Sequence, residues 1–470
     1  MSTLIKQLYK DVQSNILKDG TKIKSVNGYI SNIHRLKNFI FIDLMDGSIS
    51  TPLKIIIPSN QYNNNLFIGQ SLSLHNWNCK LTPTRNHPFE LVQNLNQSHL
   101  QISNDTTPFQ PNEFNINLSK LRNSSLTKFK NNYMNSIIRF RSSLQLAIFT
   151  TLNNNYNFIK VDPPIITTND TEGNNETFKL YSDNEIFPLN KSPLNLTVST
   201  QLHLEILSQS LSNVFSLSPC FRAERSDTGR HLTEFFMLEL ETTQFNTLDS
   251  LTTMTQDFII SIVRQLLDNQ KQLLDWNHLP LPIDTMSTQD IIQRWNRIID
   301  SKNWHEIEYI DAIKQLNLNK SQFKTCPPTL ETITTQNITT EHEKWISSTL
   351  FNNGFVFIKN YPKSLKPFYM KSNATNTTTP TTIPTVQCFD LIFPELGEII
   401  GGSMREDNLS ILKPSLPNDL NWYGELRKSG YRTSGGFGLG LERFIAYLLG
   451  LKNIKDTLPF YRSAKSKVTL

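Results

Sequence analysis

Between residues 22 and 110 the chain runs in short alternating segments, KIKSVNGYI, NFIFIDLMDG, TPLKIII, SLSLHNW and FELVQNL, separated by Gly, Asn, Pro and Asp. Alternation with a period of two puts successive side chains on opposite faces, and each turn residue ends a strand and redirects the chain. Short strands at this spacing build a small barrel or sandwich of about 90 residues. In FIFIDLMDG, Phe39 and Phe41 share one phase and therefore one face. Taken alone, the two rings read best as barrel core. Exposed on a five-stranded barrel, they would instead stack nucleic-acid bases.

The rest of the chain has a different texture. At 470 residues it is long enough for two or more domains. Ahead of the strands, Leu4, Ile5, Leu8, Val12 and Ile16 give residues 1–18 the spacing of a weak amphipathic helix. With no arginine and with Asp11 inside it, this lead-in fits a plain N-terminal helix at least as well as a targeting segment. Residues 106–122, with Pro108 and Pro111, read as a linker. Ile137, Ile138, Leu144, Ala147 and Ile148 then recur at helical spacing and predict a helix over 133–152. Beyond it strands and helices alternate irregularly, as in a large α+β domain, with helices expected over 250–284 and 290–300. The segment TNTTTPTTIP is low-complexity and reads as a surface insertion at about 373–385. The expected division is a lead-in over 1–20, a barrel over 21–108, a linker over 109–130 and a second domain over 131–470.

Apolar residues at 38% and charged residues at 19% exclude disorder of the whole chain. A net charge of +5 is mild and permits a polyanionic partner without requiring one. Cys79, Cys220, Cys326 and Cys388 form no CxxC pair, which argues against a disulfide scaffold or a cysteine zinc site and fits a reducing compartment. No apolar run approaches the ~18 residues of a membrane span, so no membrane partner is expected.

Three clusters can carry chemistry. In FRAERSDTGRHLTEF, flanked by the strand-like runs SLSPCFRAE and EFFMLELETTQF, a long hairpin holds three arginines and a histidine within ten residues. Period-two spacing puts Arg222 and Glu224 on one strand face. A surface cross-strand pair and a polyphosphate clamp both fit that pattern, because arginine forks onto phosphate oxygens. In FDLIFPELGEIIGGSMRE, Asp390 and Glu398 sit near the ends of a strand-turn-strand. Carboxylates without His or Cys company suit a hard cation such as Mg2+ holding phosphates. In GGFGLGLERF a glycine run enters an apolar helix without the βαβ context of a dinucleotide fold. Arg443, in the first turn of that helix, opposes the helix dipole and needs an anionic or aromatic partner.

Together these clusters resemble the class II aminoacyl-tRNA synthetases of the aspartyl, asparaginyl and lysyl subgroup, and most closely its asparaginyl members. FRAE…RHLTEF is similar to motif 2 of that class. GFGLGLERF followed by LPFYR is similar to motif 3, and the helix before VDPPIIT to motif 1, with Pro164 at its dimer interface. TEGNNETF, LTVSTQL and GEIIGGSMRE match further active-site segments. The resemblance covers nearly the whole chain. It implies an OB-fold anticodon barrel in front of an α+β catalytic domain built on an antiparallel sheet flanked by helices, in a homodimer.

The resemblance also implies a reaction in which the amino-acid carboxylate attacks the α-phosphate of ATP and the adenylate is then passed to a tRNA ribose hydroxyl. Arg222 would bind the α-phosphate and the reacting carboxylate. Phe235 and Arg443 would sandwich adenine, Glu224 would read its amino group, and His231 would contact the γ-phosphate. Asp390 and Glu398 would hold Mg2+, and Glu172, Ser199 and Gln201 would meet the substrate ammonium. On the barrel it raises the stacking reading of Phe39 and Phe41, with Phe41 favoured and Arg35 nearby.

Specificity turns on one charged oxygen. The aspartyl members carry a lysine three residues after the glutamine matching Gln201, where this chain has Leu204. Their pocket aspartate is matched by Glu239, which can accept a bond from a carboxamide NH2 while Arg405 donates to its C=O. A substrate carboxylate would face Glu239 with one cation fewer, a like-charge contact in a buried site. That predicts L-asparagine and tRNA(Asn) as substrates at ~10²-fold discrimination, with an aspartyl or non-discriminating enzyme as the alternative. Met404, Ser434, Arg225 and Asp227 depart from the family pattern. Asparagine at about a tenth of the chain and alanine at just over one per cent read as A+T-rich coding bias. With no added N-terminal domain, that bias points to the mitochondrial matrix, the cytoplasm being the alternative.

Overall fold

The computed structural model describes residues 2–60, 66–94, 97–103, 118–122, 128–168, 176–181, 194–268, 286–373, 383–417 and 420–466. The core of the expected insertion, most of the expected linker and the stretch 269–285 lie outside the described residues. The chain divides into two compact units, residues 1–140 with 269–288 and residues 141–268 with 289–470.

The first unit is a closed five-stranded, OB-like barrel. Its strands are β1 (Lys22–Arg35), β2 (Phe39–Met45), β3 (Leu53–Pro58), β4 (Ser71–Leu81) and β5 (Phe89–Val92), ordered β1-β2-β3-β5-β4. The long β1 closes the ring by pairing with β4 through its first half and with β2 through its second. A register shift between Ile30 and Asn32 marks the change of partner, and a sixth strand, β6 (His99–Ile102), extends β4. The interior is filled by Val26, Ile30, Ile40, Ile42, Leu44, Ile55 and Trp77. Because Ile40, Ile42 and Leu44 take the inner phase of β2, Phe39 and Phe41 face outward. Phe39 is 47% exposed, and Phe41 is half-buried opposite His34 and Ile56. The core-pair reading of the two rings is therefore corrected. The lead-in is a helix, Ile5–Gln13, that lays Ile5, Leu8 and Tyr9 onto the barrel core and anchors its first N–H on Asp46 at 2.7 Å.

The second unit is built on an eight-stranded sheet. Its strands are β7 (Ile159–Lys160), β11 (Asn213–Phe221), β12 (Glu234–Thr242), β13 (Trp304–Glu308), β14 (Phe355–Lys359), β15 (Cys388–Phe393), β16 (Gly397–Met404) and β17 (Gly435–Gly440). Their order is β13-β14-β15-β16-β17-β12-β11-β7, antiparallel throughout except at the two edge pairs. β8 (Ile166–Thr167), β9 (Lys179–Leu180) and β10 (Leu194–Leu196) form a small separate sheet. The predicted helices appear as Asn132–Tyr156, Leu248–Asp268 and Thr288–Ile299. Helix Leu441–Leu449 leaves β17 with eight buried residues.

Two local expectations change. The glycine run of the third cluster is a central strand, although glycine is depleted in strand interiors. Gly436 explains why. It pairs with Ser403 on one side and Glu241 on the other, and a Cβ there would drive into the Leu240 carbonyl and the Glu241 carboxylate. The hairpin ladder stops at Phe221 opposite Glu234, so Arg222 and Glu224 lie beyond the strand and not on its face. Past that point the backbone donors turn elsewhere, Arg222 N–H to Thr233 O at 3.0 Å and Ala223 N–H to Glu176 O at 2.8 Å. Gly436→Ala should cost about 2–4 kcal/mol in urea unfolding, as overpacking of a fixed backbone does.

Candidate functional site

A cavity of about 510 Å3 lies in the second unit and is lined by residues of all three sequence clusters. Its first group of contacts comes from the loop after β11. The Arg222 guanidinium lies 3.9 Å from Glu224 and 5.4 Å from the centre of the Phe235 ring. His231 Nδ1 shares a hydrogen bond of 2.6 Å with Thr228 Oγ1, and its Nε2 lies 3.8 Å from Glu224. Burial holds the His231 pKa below its usual value, and the charges of Arg443 and Arg230 act in the same direction against Glu224. Arg443, at the start of its helix, donates to the main-chain carbonyl of Glu398 at 3.1 Å, a neutral acceptor, and the anionic partner its position calls for is the Glu398 carboxylate, whose pKa the Arg443 charge lowers against burial.

The second group is the carboxylate pair. Asp390 lies inside β15 opposite Gly401, not near the strand end as the sequence suggested, because β15 and β16 stay paired on both sides of it. Glu398 stands on β16. Both side chains converge on Gly401, where a Cβ would sit 3.1 Å from Glu398 Oε1 and 3.7 Å from Asp390 Oδ1. Both Asp390 oxygens accept from Lys366 Nζ, at 2.8 and 2.7 Å. Glu343 accepts from the Glu398 N–H at 3.1 Å, and burial followed by the charge of Glu398 pushes its carboxyl up to about 7. Among the described residues no three His, Cys, Asp or Glu side chains converge as a ready metal cage. Two hard oxygens beside an open glycine fit a cation that takes its other ligands from phosphate and water, as magnesium does.

The third group surrounds Arg405. Its Nη2 donates to Glu241 at 2.7 Å, its Nε to the same carboxylate at 3.1 and 3.2 Å, and its Nη1 to Ser403 Oγ at 2.6 Å. Glu205 Oε1 is 3.7 Å away and the Tyr369 ring centre 5.4 Å. Burial alone would lower the Arg405 pKa, but Glu241 and Glu205 hold it above its usual value. Glu205 also accepts from Tyr423 OH at 2.6 Å and Arg427 at 3.2 Å, with Arg427 between the Tyr423 and Tyr431 rings at 3.9 and 4.1 Å. Beside this network, Glu239 accepts from Ser199 Oγ, from Thr200 N–H at 2.8 Å and from Thr200 Oγ1 at 2.5 Å.

Residues 117–464 match the family model of tRNA synthetases class II (D, K and N). The chain belongs to the class II tRNA synthetases of that group. It is 40% identical to the mitochondrial asparagine–tRNA ligase of Saccharomyces cerevisiae, covering 94% of this chain and 93% of that one. Identity to the asparagine–tRNA ligase of Mycoplasma pneumoniae is 35%, over 94% of each chain. The asparaginyl-tRNA synthetase of Pyrococcus horikoshii, solved with asparaginyl-adenylate, shares the fold with a TM-score of 0.80 over 100% of both chains at 24% identity.

The synthetase cavity gathers Arg222, Glu224, His231, Phe235 and Arg443 with Asp390 and Glu398, and with Ser199, Gln201, Glu239 and Arg405. Glu172 lies outside the described residues. Arg35, Phe39 and Phe41 belong to the barrel, where Arg35 Nη2 donates to Leu66 O at 2.7 Å. Pro164 is exposed, next to exposed Ile165 and Ile166. Of the departures, Ser434 donates to Glu241 at 2.7 Å, Met404 is buried, Arg225 is exposed and Asp227 pairs with Lys455 at 2.6 Å.

Sequence reasoning missed Glu205, Glu241, Arg427, Glu343 and Lys366. Glu241 could have been found, since it follows Glu239 by two in an alternating run and shares its face. Glu205→Ala strips a carboxylate from two buried arginines, so it should cost about 3–5 kcal/mol in urea unfolding.

Proposed function

We propose that this chain ligates L-asparagine to tRNA(Asn) with ATP, through an asparaginyl-adenylate, releasing pyrophosphate and then AMP. The observation that carries the substrate choice is the state of Arg405. Its fork is already filled by Glu241, Glu205 stands at 3.7 Å, and Leu204 lines the cavity where a second cation would be needed for aspartate. A neutral carboxamide enters such a pocket without adding charge, whereas a carboxylate would be buried next to Glu239 with no cation left to it. The relatives at 40% and 35% identity are asparagine–tRNA ligases, which supports the same reading.

In the first step a carboxylate oxygen of asparagine attacks the α-phosphorus, the bond from that phosphorus to the bridging oxygen breaks, and pyrophosphate leaves. Positioning and charge neutralisation carry this displacement, with no general base required. Arg222 holds the attacking carboxylate and the α-phosphate together. Adenine lies between Phe235 and Arg443, Glu224 accepts from its amino group, and His231 meets the γ-phosphate. Ser199 and Gln201, with Glu172, receive the substrate ammonium, and Glu239 and Arg405 face the carboxamide. Asp390 and Glu398 hold Mg2+, which when bound neutralises phosphate oxygens. In the second step the terminal ribose hydroxyl of tRNA takes the acyl group and AMP departs.

Outside the cavity, Phe41 and Phe39 offer stacking faces to a splayed anticodon loop, with Arg35 beside them. The exposed apolar residues Ile165 and Ile166 next to Pro164 suit burial in a homodimer. The mitochondrial yeast relative supports placement in the mitochondrial matrix.

The purified protein should exchange pyrophosphate into ATP with asparagine at least ~10²-fold better than with aspartate. Glu239→Ala should abolish exchange with asparagine. Equal exchange with the two amino acids, or an unaffected Glu239 variant, would overturn the reading.

A further inference from the structure

Lys366 is a buried cation that none of these steps uses. Its side chain is 12% exposed, lines the cavity, grips both oxygens of Asp390 at 2.7 and 2.8 Å, and stacks its ammonium 3.9 Å from the centre of the Tyr361 ring. Asp390 shares its surroundings with two further, half-buried carboxylates. Glu398 converges with it on Gly401, and Glu343 holds the Glu398 N–H. The charges of Glu398 and Asp390 both act on Glu343, and Lys366 is the cation bonded directly to one of these carboxylates.

We propose that Lys366 is the built-in counter-ion of the metal-free site, a positioning residue that occupies Asp390 until a divalent cation arrives with the nucleotide phosphates. The proposal rests on the reading that Asp390 and Glu398 hold the metal. Two consequences follow from the geometry. With both Asp390 oxygens engaged, a bare divalent cation must displace an ammonium from a buried ion pair, so the empty protein binds it weakly. When a nucleotide enters, its phosphates bring the negative charge that lets the cation and the ammonium be held in one cavity. The device therefore orders binding: the metal enters with ATP and not before it.

The test uses Mn2+ as the probe, titrated into the full chain without nucleotide and followed by the electron paramagnetic resonance of free Mn2+. Lys366→Met should bind one Mn2+ at least ~10-fold more tightly than the unaltered protein, a gain of ~1.4 kcal/mol. Lys366→Gln, which keeps a hydrogen-bond donor and loses only the charge, carries the same expectation should the methionine variant not fold. Lys366→Arg should bind Mn2+ as weakly as the unaltered protein, and adding Asp390→Asn to Lys366→Met should erase the gain. Neutral variants that bind no more tightly than the unaltered protein overturn the proposal, as does a gain that survives Asp390→Asn. Failure of the underlying metal reading is seen separately: Mn2+ binding in the presence of a non-hydrolysable ATP analogue would then be unchanged by Asp390→Asn.

Discussion

A guanidinium is buried just past the end of β16, and its surroundings are arranged to keep it charged there. Taking Arg405 out of water costs several kcal/mol unless its donors are met by anions in good geometry. Glu241 meets them with three short contacts, and Glu205 adds a second charge. The pair reaches across β17, and it passes at Gly436, where any side chain would collide with Glu241 and lie 3.0 Å from Arg405 Nη2. Glycine at 436 thus leaves room for the ion pair, while Gly435 and Gly438 face Met404 and Met237 instead. Tyr423, Tyr431 and Arg427 complete the enclosure by satisfying the far oxygen of Glu205. On the proposed reading specificity follows, because an arginine already satisfied by the protein can donate to a neutral group but offers little to a substrate charge.

The side of the cavity proposed to take the phosphates is arranged in the opposite sense. Arg222, Arg230 and Arg443 all line it, and burial together with the charge of Arg443 lowers the Arg230 pKa. Cations crowded in this way are relieved by an anionic ligand. Opposite in sign, Asp390, Glu398 and Glu343 crowd one another, and that strain is relieved by a cation. Lys366 grips both oxygens of Asp390. One cavity therefore holds a surplus of each sign, the arrangement that a polyphosphate with its metal neutralises at once.

The barrel strands, the helix from Asn132 and the long hairpin were legible because turn residues and periodicity are local signals. The phase of β2 was misread: two phenylalanines outweighed Asp43, although Asp43 shares their face and its charge, paired with Lys54, marks that face as the outward one. β17 was hidden by its glycines, which carry a strong turn signal and no side chain to alternate. The arginine-rich loop, the carboxylates and Arg443 were legible as residue types, and the family resemblance supplied their roles. The buried network was not legible. Arg405 and Glu241 are 164 residues apart, and Lys366 and Asp390 are 24 apart, so nothing in the local pattern marks them as partners.

On the proposed reading Glu241 consumes the charge of Arg405 and so closes the pocket to aspartate. The most direct measurement is the ratio of kcat/KM for asparagine over aspartate, in pyrophosphate exchange, for Glu241→Gln against the unaltered protein. Removing the anion leaves Arg405 with charge to offer, so aspartate should gain on asparagine by ~10-fold or more. A ratio unchanged in a variant that still activates asparagine would contradict the account.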